Sequence, residues 1–306
     1  MLALITGGKG FVGSWLAVHL REMGDEVVVV DHEVDVTDAN AVRAVVADLA
    51  PEAVYHLAAL AHVGNSWSSP ERVFEVNAIG TLNLLGAASS CRRPPRVLLV
   101  SSAEVYGKVG EEDLPVAEDA GLAPVTPYAV SKVAAEFLGV QQFLANGLQV
   151  TRVRPFNHIG PGQAESFFVP SFAARIVDAA SAAKRSVPVG NLRARRDFTD
   201  VRDVVRAYRL LMVEGVPGEV YNVCSGQEVS IGEVAGKLLE CAGADLELQE
   251  DAGLLRPVDV PVLRGDASKL RAATGWEPEI DLAASLADVL DEVYAKRALT
   301  RRTTCR

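Results

Sequence analysis

The chain has 306 residues, of which 49% are hydrophobic and 23% are charged. The length corresponds to about two domains or one large single-core unit, and the composition is that of a globular protein, which excludes a mainly disordered or collagen-like chain. The 30 Lys and Arg residues are outnumbered by 40 Asp and Glu residues, so the formal net charge is −10. A negative chain repels phosphate backbones, and we therefore expect no nucleic-acid partner.

The cysteines and the apolar runs exclude further classes of protein. The four cysteines are widely spaced and form no C-x-x-C pair, which disfavours a disulfide framework and a metal site; they are Cys91, Cys224, Cys241 and Cys305. The sequence runs from Met1 directly into apolar residues without a basic leader, so we expect no signal peptide. Apolar runs stay well short of the roughly 20 residues that a spanning helix needs. We expect a cytoplasmic protein with no membrane partner.

Short apolar runs alternate with longer helical patterns along the first half of the chain. In chain order, the predicted elements are strand Leu2–Ile5, helix Phe11–Met23, strand Glu26–Asp31, helix Ala39–Leu49, strand Ala53–Leu57, helix Arg72–Ser90, strand Arg96–Ser101, helix Tyr128–Ala145 and strand Gln149–Arg154. The valine run that ends at Val30 lacks polar alternation, which is typical of parallel strands covered by helices on both faces. The pattern predicts an α/β fold with a doubly wound, Rossmann-type parallel sheet.

The strict alternation is lost after Pro155. The predicted elements there are helix Pro170–Ala183, strand Val187–Val189, helix Val201–Val213, strand Val220–Val223 and helix Ile231–Ala242. We therefore predict two units: residues 1–154 with returns near 197–224, and a smaller, interleaved C-terminal unit of residues 155–196 and 225–306. The basic tail from Lys296 to Arg306 is predicted to be a frayed, solvated end.

A glycine-rich turn follows the first predicted strand. Gly7, Gly10 and Gly13 recur at intervals of three residues and lead into the helix that begins at Phe11. Glycines allow a tight turn and the close approach of a pyrophosphate to the positive end of that helix. A glycine motif in isolation is a weak signal, but its position after the first strand predicts a dinucleotide site.

The end of the second predicted strand bears on the choice of cofactor. Asp31 lies 18 residues beyond Gly13, near the position where a carboxylate hydrogen-bonds an adenosine ribose 2′-hydroxyl. The same carboxylate would repel a 2′-phosphate. Lys9, inside the glycine turn, is an opposing signal because its ammonium could reach such a phosphate. We expect NAD(H) to be favoured, with NADP(H) as the alternative.

Three further residues form a candidate catalytic group. Tyr128 and Lys132 are four residues apart and therefore share one face of a predicted helix. An ammonium beside a phenol is expected to lower the pKa of the phenol, which favours proton exchange with a carbonyl or alcohol oxygen. Ser102, at the end of the predicted strand Arg96–Ser101, would hydrogen-bond the same oxygen.

These motifs belong to a wider resemblance that covers essentially the whole chain. The sequence resembles the extended short-chain dehydrogenase/reductase family in the strings Thr6–Gly13, His56–Ala59, Asn77–Thr81, Ser101–Gly107, Tyr128–Lys132 and Arg154–Asn157. Within that family, longer strings look most like those of the GDP-4-keto-6-deoxy-D-mannose reductases; they are Arg154–Gln163, Arg196–Asp203, Val220–Gly226 and Arg256–Pro261. The resemblance implies a dinucleotide-binding first unit and a nucleotide-sugar-binding second unit.

The resemblance also implies catalytic roles. Ser102, Tyr128 and Lys132 match the catalytic triad of the family. Glu104, two places after Ser102, matches the acid/base of the related GDP-mannose 4,6-dehydratases, which remove water across C5 and C6 of the sugar. Dehydration therefore stays open on the residues alone.

Binding roles follow from the same strings. Asn157, Arg196 and Arg256 match positions that hold the nucleotide sugar, and a guanidinium is a suitable partner for its diphosphate. His158 is interpreted as a structural histidine. The candidate cofactor contacts are Gly7, Gly10, Phe11, Val12, Gly13, Asp31, Asp35, Val36, Leu57, Ala58, Ala59, Tyr128 and Lys132.

The favoured hypothesis is an NAD(P)H-dependent reductase that converts GDP-4-dehydro-6-deoxy-D-mannose to GDP-D-rhamnose, with Tyr128 as the general acid. The alternative is a GDP-mannose 4,6-dehydratase or another nucleotide-sugar epimerase or dehydratase, in which the cofactor is recycled in place. A non-catalytic dinucleotide sensor is disfavoured because both Tyr128 and Lys132 are present. Members of the family commonly dimerise through helices that correspond to Arg72–Ser90 and Tyr128–Ala145, and we expect a homodimer.

Overall fold

The computed structural model describes residues 1–254 and 260–304, with side chains described as far as residue 299. Its strands are β1 Leu2–Thr6, β2 Glu26–Val30, β3 Ala53–His56, β4 Arg96–Val100, β5 Val150–Pro155, β6 Asn157–Ile159, β7 Ser186–Val189, β8 Arg195–Asp200, β9 Val220–Val223, β10 Glu228–Ser230, β11 Glu247–Glu250 and β12 Val262–Leu263. Six of them form one sheet in the order β2-β1-β3-β4-β5-β9, and all neighbours in it are parallel. The predicted α/β class with a Rossmann-type parallel sheet is confirmed.

The helices largely follow the predicted pattern. They are α1 Phe11–Glu22, α2 Ala39–Leu49, α3 Pro70–Phe74, α4 Gly80–Ser89, α5 Pro127–Asn146, α6 Phe168–Ser181, α7 Val201–Glu214, α8 Ile231–Ala242, α9 Ser268–Thr274 and α10 Leu282–Thr304. The predicted bounds of α2, α8 and β9 coincide with the observed ones. The helix predicted over residues 72–90 is divided, because a π-helical turn at Glu75–Ile79 separates α3 from α4.

The register of the large sheet aligns the ends of its first three strands. Thr6, the last residue of β1, pairs with Val30 on one side and with His56 on the other. The loops that follow these strands therefore begin at the same edge. The order of the strands reverses between β1 and β3, and ligands of such sheets bind in the crevice outside this reversal.

Side chains pack on both faces of the sheet. One core includes buried residues of α1, α7 and α9, and the other lies beneath α2 and α4. Trp276, which directly follows the α9 region, belongs to the first of these cores, and its Nε1 donates a hydrogen bond to the carbonyl oxygen of Asp203 in α7. The predicted division between two units, which assigns Trp276 to the second, stays a prediction.

A third core lies among the later elements. Buried apolar side chains of α6, α8 and α10 pack together there. Strand β8 is the centre of a small sheet, in which β10 is antiparallel and both β12 and β6 are parallel to it. A separate pair joins β7 and β11. Strands β6, β8, β10, β11 and β12 and helices α9 and α10 are absent from the sequence-based prediction.

The prediction of a frayed tail is wrong for the residues that the structure describes. Helix α10 continues through Lys296 to Thr304, and within this tail only Cys305 and Arg306 lie outside the described residues. The helix is held because its apolar face is buried in the third core, through Leu286, Val289, Leu290 and Val293. Packing of an amphipathic face stabilises a helix more than local propensity does.

A buried ion triad fixes the position of α5. The Glu136 carboxylate in α5 is completely buried and accepts hydrogen bonds from two arginines of β5. Arg152 Nη1 lies 3.2 Å from Oε1, and Arg154 donates through Nη2 at 2.6 Å to Oε1 and through Nε at 3.1 Å to Oε2. Arg154 also donates to the hydroxyl of Tyr106, so the triad connects α5 and β5 with the segment that follows β4.

We expect Glu136→Ala to destabilise the fold by about 3–5 kcal/mol, because it leaves two guanidinium groups buried without a counter-charge. Urea unfolding at neutral pH measures this loss. The control is Glu277→Ala, which removes the exposed ion pair with Arg271 and should cost less than about 1 kcal/mol. Equal losses in the two variants would contradict the assignment.

Candidate active site

A cavity of about 640 Å³ lies along the carboxyl edge of the large sheet. Its walls come from the loops after β1, β2, β3 and β4, from the first turns of α5, and from the segment that begins at Pro155. Ligand pockets of small molecules have volumes of roughly 300–1,000 Å³. The cavity therefore has the size and the place in the fold that a cofactor with its substrate requires.

The glycine turn forms one end of the cavity and leaves no space for side chains. A Cβ at Gly7 would lie 2.7 Å from the Ala58 nitrogen, and one at Gly13 would lie 2.4 Å from the Gly7 oxygen. Gly7 also has φ +68°, in the left-handed region that glycine favours. Helix α1 begins after Gly10 without a side-chain cap, so its N-terminal N–H groups and the positive end of its dipole face the turn. The turn is thus shaped for a pyrophosphate.

Asp31 occupies the end of β2, beside the glycine turn. Its Oδ2 accepts a hydrogen bond of 2.9 Å from the Lys9 backbone N–H, and its Oδ1 accepts one of 3.0 Å from His32. The Lys9 ammonium is directed elsewhere, since Nζ lies 2.9 Å from a Glu33 carboxylate oxygen. The Lys9 ammonium, which was considered a possible partner for a 2′-phosphate, is therefore already paired with Glu33.

The remaining predicted cofactor contacts also line this cavity. They are Phe11, Val12, Asp35, Val36, Leu57, Ala58 and Ala59. Asp35 accepts hydrogen bonds from the backbone and the hydroxyl of Thr37, and these lower the pKa of its carboxyl group. Arg72, which lines the same end, lies 3.7 Å from Asp35 and 2.7 Å from Glu75.

The predicted catalytic residues converge at the other end of the cavity. Ser102 follows β4 and caps a short 3-10 segment, and its Oγ accepts a 3.2 Å hydrogen bond from the Glu104 backbone. Tyr128 lies in the first turn of α5, beside Ser102, and is only 7% exposed. Lys132, one turn later, donates from Nζ to the Val100 oxygen at 2.9 Å.

Burial controls the protonation of this group. Desolvation raises the pKa of Tyr128 to about 12, the Ser102 hydrogen bond opposes this rise, and the Glu104 charge adds to it. Desolvation also lowers the pKa of Lys132 to about 8. The expected net lowering of the Tyr128 pKa is wrong, because desolvation outweighs the opposing influences and the Lys132 ammonium lies 6.0 Å from the ring centroid, bonded to a carbonyl group.

Of the three residues predicted to bind the substrate, the structure places one in the cavity wall. Asn157, the first residue of β6, is exposed and lines the cavity. Arg196 in β8 is buried outside the cavity wall, and its Nη1 donates to the Arg195 oxygen at 2.8 Å. Arg256 lies outside the described residues, so its role stays a prediction.

The sequence profile of the GDP-mannose 4,6 dehydratase family matches residues 30–289 of this chain. The chain belongs to this family, within the extended short-chain dehydrogenases/reductases. It is 38% identical over 291 residues to a GDP-6-deoxy-D-mannose reductase from Pseudomonas aeruginosa, covering 94% of this chain and 95% of that one. It is 32% identical to a GDP-6-deoxy-D-talose 4-dehydrogenase from Aggregatibacter actinomycetemcomitans, covering 98% and 99%.

Solved structures of the extended short-chain dehydrogenases/reductases superpose on this chain. The protein called RMD from Pseudomonas aeruginosa, solved in complex with NADPH, has a TM-score of 0.88 at 38% identity and covers 97% of this chain and 100% of its own. The dTDP-glucose 4,6-dehydratase of Streptomyces venezuelae, solved with NAD and TYD, has a TM-score of 0.86 at 26% identity and covers 98% of each chain.

Several residues that line the cavity were not predicted from the sequence. Ser101 Oγ, Gln163 Oε1 and the Tyr208 hydroxyl line the cavity, are buried, and have no hydrogen-bond partner among the described residues. Gln163 ends the string Arg154–Gln163 that carried the resemblance, whereas Tyr208 is an ordinary apolar position in the pattern of α7. His158 also lines the cavity; its Nδ1 hydrogen-bonds the Phe156 oxygen at 3.0 Å.

Among the helices of residues 1–254 and 260–304, none combines the length and the apolar character that crossing a membrane requires.

The lowered pKa of Lys132 predicts a pH-dependent stability. Below pH 8 the lysine is protonated in both states, and the folded state bears the full desolvation cost. Between pH 8 and about 10.5 the unfolded chain holds a proton that the folded protein has released, so the cost fades as the pH rises. We expect Lys132→Met to increase the free energy of unfolding at pH 7 by about 1–3 kcal/mol and by less at pH 9.5.

Urea unfolding at the two pH values measures this difference. The control is Lys237→Met on the exposed face of α8, which should alter stability by less than about 0.5 kcal/mol at either pH. A stabilisation by Lys132→Met that is as large at pH 9.5 as at pH 7 would contradict the prediction.

Proposed function

We propose that this protein reduces the C4 keto group of GDP-4-dehydro-6-deoxy-D-mannose to GDP-D-rhamnose with a reduced nicotinamide dinucleotide. The observation that carries the proposal is the convergence of Ser102, Tyr128 and Lys132 at one end of a cavity whose other end is a glycine turn. The 38% identity to a GDP-6-deoxy-D-mannose reductase supports this substrate over other nucleotide sugars.

The residues present fit a dinucleotide. A Cβ would fill the cradle at Gly7 and Gly13, and the uncapped start of α1 offers N–H groups to a pyrophosphate. Asp31 would accept a hydrogen bond from the adenosine ribose. When bound, the reduced nicotinamide supplies the hydride that reaches C4 of the sugar.

The side chains of this chain handle the proton. The Tyr128 hydroxyl, whose pKa of about 12 keeps it protonated at neutral pH, would donate its proton to the oxygen on C4 of the sugar. Ser102 hydrogen-bonds the same oxygen and holds it in place. Lys132 stabilises the tyrosinate that remains, since an ammonium with a pKa of about 8 is mostly charged at pH 7.

A second candidate reaction is dehydration or epimerisation of a nucleotide sugar. Glu104 lines the cavity two residues after Ser102, and its charge raises the pKa of Tyr128, so its carboxylate lies near the reacting group. Such a residue could act as the acid/base of a dehydratase. Net consumption of reduced cofactor distinguishes the reductase from this alternative, and the configuration of the product at C4 distinguishes a rhamnose from a talose product.

The nucleotide sugar would occupy the part of the cavity that Asn157 lines. Arg196 and Arg256 are proposed to face its diphosphate, as the family strings imply. The Arg196 guanidinium is buried beside β12 and donates to the Arg195 oxygen. The proposed role of Arg196 requires that this guanidinium lies next to the bound substrate and not next to the cofactor.

The proposed assembly is a homodimer in the cytoplasm. Large apolar side chains are exposed on α3, α4, α5 and the π-helical turn between α3 and α4, the region that family members use for dimerisation; they are Phe74, Ile79, Leu82, Val130 and Phe137. Burying apolar area of this kind is the main favourable contribution to stable association.

Tyr128→Phe tests the reaction. The variant keeps the ring packing and loses the proton donor, so we expect kcat to fall by at least about 100-fold with cofactor affinity nearly unchanged. The measurement is cofactor absorbance with GDP-4-dehydro-6-deoxy-D-mannose as substrate. Tyr55→Phe is the control, because Tyr55 is also a buried tyrosine but does not line the cavity. Turnover of Tyr128→Phe near that of the parent would refute the mechanism.

Asp31→Asn tests the cofactor preference. The parent protein should use NADH about tenfold better than NADPH in kcat/KM, because the Asp31 carboxylate repels a 2′-phosphate while the Lys9 ammonium is paired with Glu33. The amide still accepts from the Lys9 backbone N–H but has no charge, so the preference should vanish or invert. Asp48→Asn on the exposed face of α2 is the matched control. A parent enzyme that prefers NADPH would overturn the preference and leave the reductase proposal standing.

A further inference from the structure

The segment Gly160–Phe167 connects β6 with α6 and forms one wall of the cavity. We call it the pocket loop. Gly162, Gln163, Ala164 and Phe167 line the cavity, and the loop begins three residues after Asn157. It lies next to Asn157, where the nucleotide sugar is proposed to bind, and it also reaches the first turn of α1, since an added Cβ at Gly162 would lie 3.8 Å from the Phe11 ring.

Helix α10 contacts the outer side of the pocket loop. The Glu292 carboxylate accepts a hydrogen bond of 2.8 Å from the Gly162 backbone N–H. The Arg297 guanidinium donates to both carboxylate oxygens of Glu165, at 3.1 and 3.0 Å. It also reaches Asp178 in α6 at 3.1 Å. These contacts lie on either side of Gln163 and Ala164, the two residues at the centre of the wall.

The partners on α10 are themselves held in place. The helix is anchored in the third core by its buried apolar face. Asp288, one turn before Glu292, accepts a 2.7 Å hydrogen bond from Arg202 in α7. None of the α10 residues up to 299 lines the cavity, so these residues act on a ligand through the loop that they contact.

The loop has two further attachments, at its ends. Trp15 Nε1 donates to the Pro161 oxygen at 2.8 Å, and His62 hydrogen-bonds the Ser166 oxygen at 3.1 Å. Gly162 has φ +92°, a conformation that other residues rarely adopt, and it directs its N–H at Glu292. Loss of the α10 contacts would thus free the centre of the loop while its ends stay attached.

We propose that Glu292 and Arg297 are positioning residues, which hold the pocket loop so that its inner face fits the nucleotide sugar. The substrate named here rests on the proposed function. Arg297 and its partners Glu165 and Asp178 are partly exposed, and exposed ion pairs contribute little to the stability of a fold. We therefore expect their removal to alter the position of the loop rather than global folding.

The experiment compares Glu292→Ala and Arg297→Ala with the parent and with Asp291→Ala, a matched control that removes an exposed carboxylate from the adjacent position of α10. Hydrogen exchange of the ligand-free protein should become at least about fivefold faster in peptides covering residues 160–167 in the two test variants. In the two test variants, hydrogen exchange at the glycine turn should stay at the parent rate. In Asp291→Ala, exchange should stay at the parent rate in all peptides.

Steady-state kinetics provide the second measurement. In both test variants the KM for the GDP-linked sugar should rise by about 5–20-fold, with kcat and the KM for the reduced cofactor within about twofold of the parent. Glu292→Gln keeps an acceptor for the Gly162 N–H and should restore most of the affinity. A purely structural role would instead lower stability and raise both KM values together, and that result would overturn the proposal.

The two proposals fail in different ways. If the parent protein does not turn over the GDP-linked sugar, the proposed function is wrong, and hydrogen exchange alone tests the positioning role of Glu292 and Arg297. A parent-like exchange rate at residues 160–167 in Glu292→Ala and Arg297→Ala then overturns that role, and a faster rate supports it. If the parent is active, faster exchange without a rise in the KM for the sugar also overturns it.

Discussion

The position of α5 depends on one buried ionic contact, the triad of Glu136 with Arg152 and Arg154. Tyr128, Lys132 and Glu136 are spaced four residues apart and therefore lie on one face of the helix. The triad secures the far end of that face to β5, and the Tyr and Lys side chains consequently reach the carboxyl edge of the sheet. Replacing a buried ion triad by apolar groups can leave stability unchanged, so these contacts are better explained by the orientation of the helix than by stability. We interpret the triad as a device for orientation.

The cavity exists because parallel strands end together. Thr6, Val30 and His56 are in register, so the glycine turn, Asp31 and Leu57 begin at one edge. His56 ties this edge together: its ring nitrogens bond the hydroxyls of Thr6 at 2.7 Å and Thr81 at 2.9 Å, and burial lowers its pKa to about 3, which keeps it neutral. The large sheet thereby supplies the dinucleotide side of the cavity, and the segment after Pro155 supplies the opposite wall.

Desolvation sets the charge state of the reacting group. The same burial raises the pKa of Tyr128 to about 12 and lowers that of Lys132 to about 8. At neutral pH the phenol is therefore a neutral proton donor, and the ammonium beside it is mostly charged. This combination suits a reduction, in which the phenol must give up a proton and the resulting phenolate needs a nearby cation.

The sequence by itself determined the features that depend on short spacings. Hydrophobic periodicity and residues at most about 20 positions apart predicted these features. They are the glycine turn, the pairing of Tyr128 and Lys132 on one helix face, the positions of Asp31 and Ser102 after their strands, and the parallel direction of the strands. Only the tertiary structure decided which groups are desolvated and which distant segments meet. It reversed the expected pKa shift of Tyr128, kept Arg196 out of the cavity wall, and brought Glu292 to Gly162 across 130 residues of chain. Burial and contact at such separations are set by the packing of whole elements, and no local pattern encodes them.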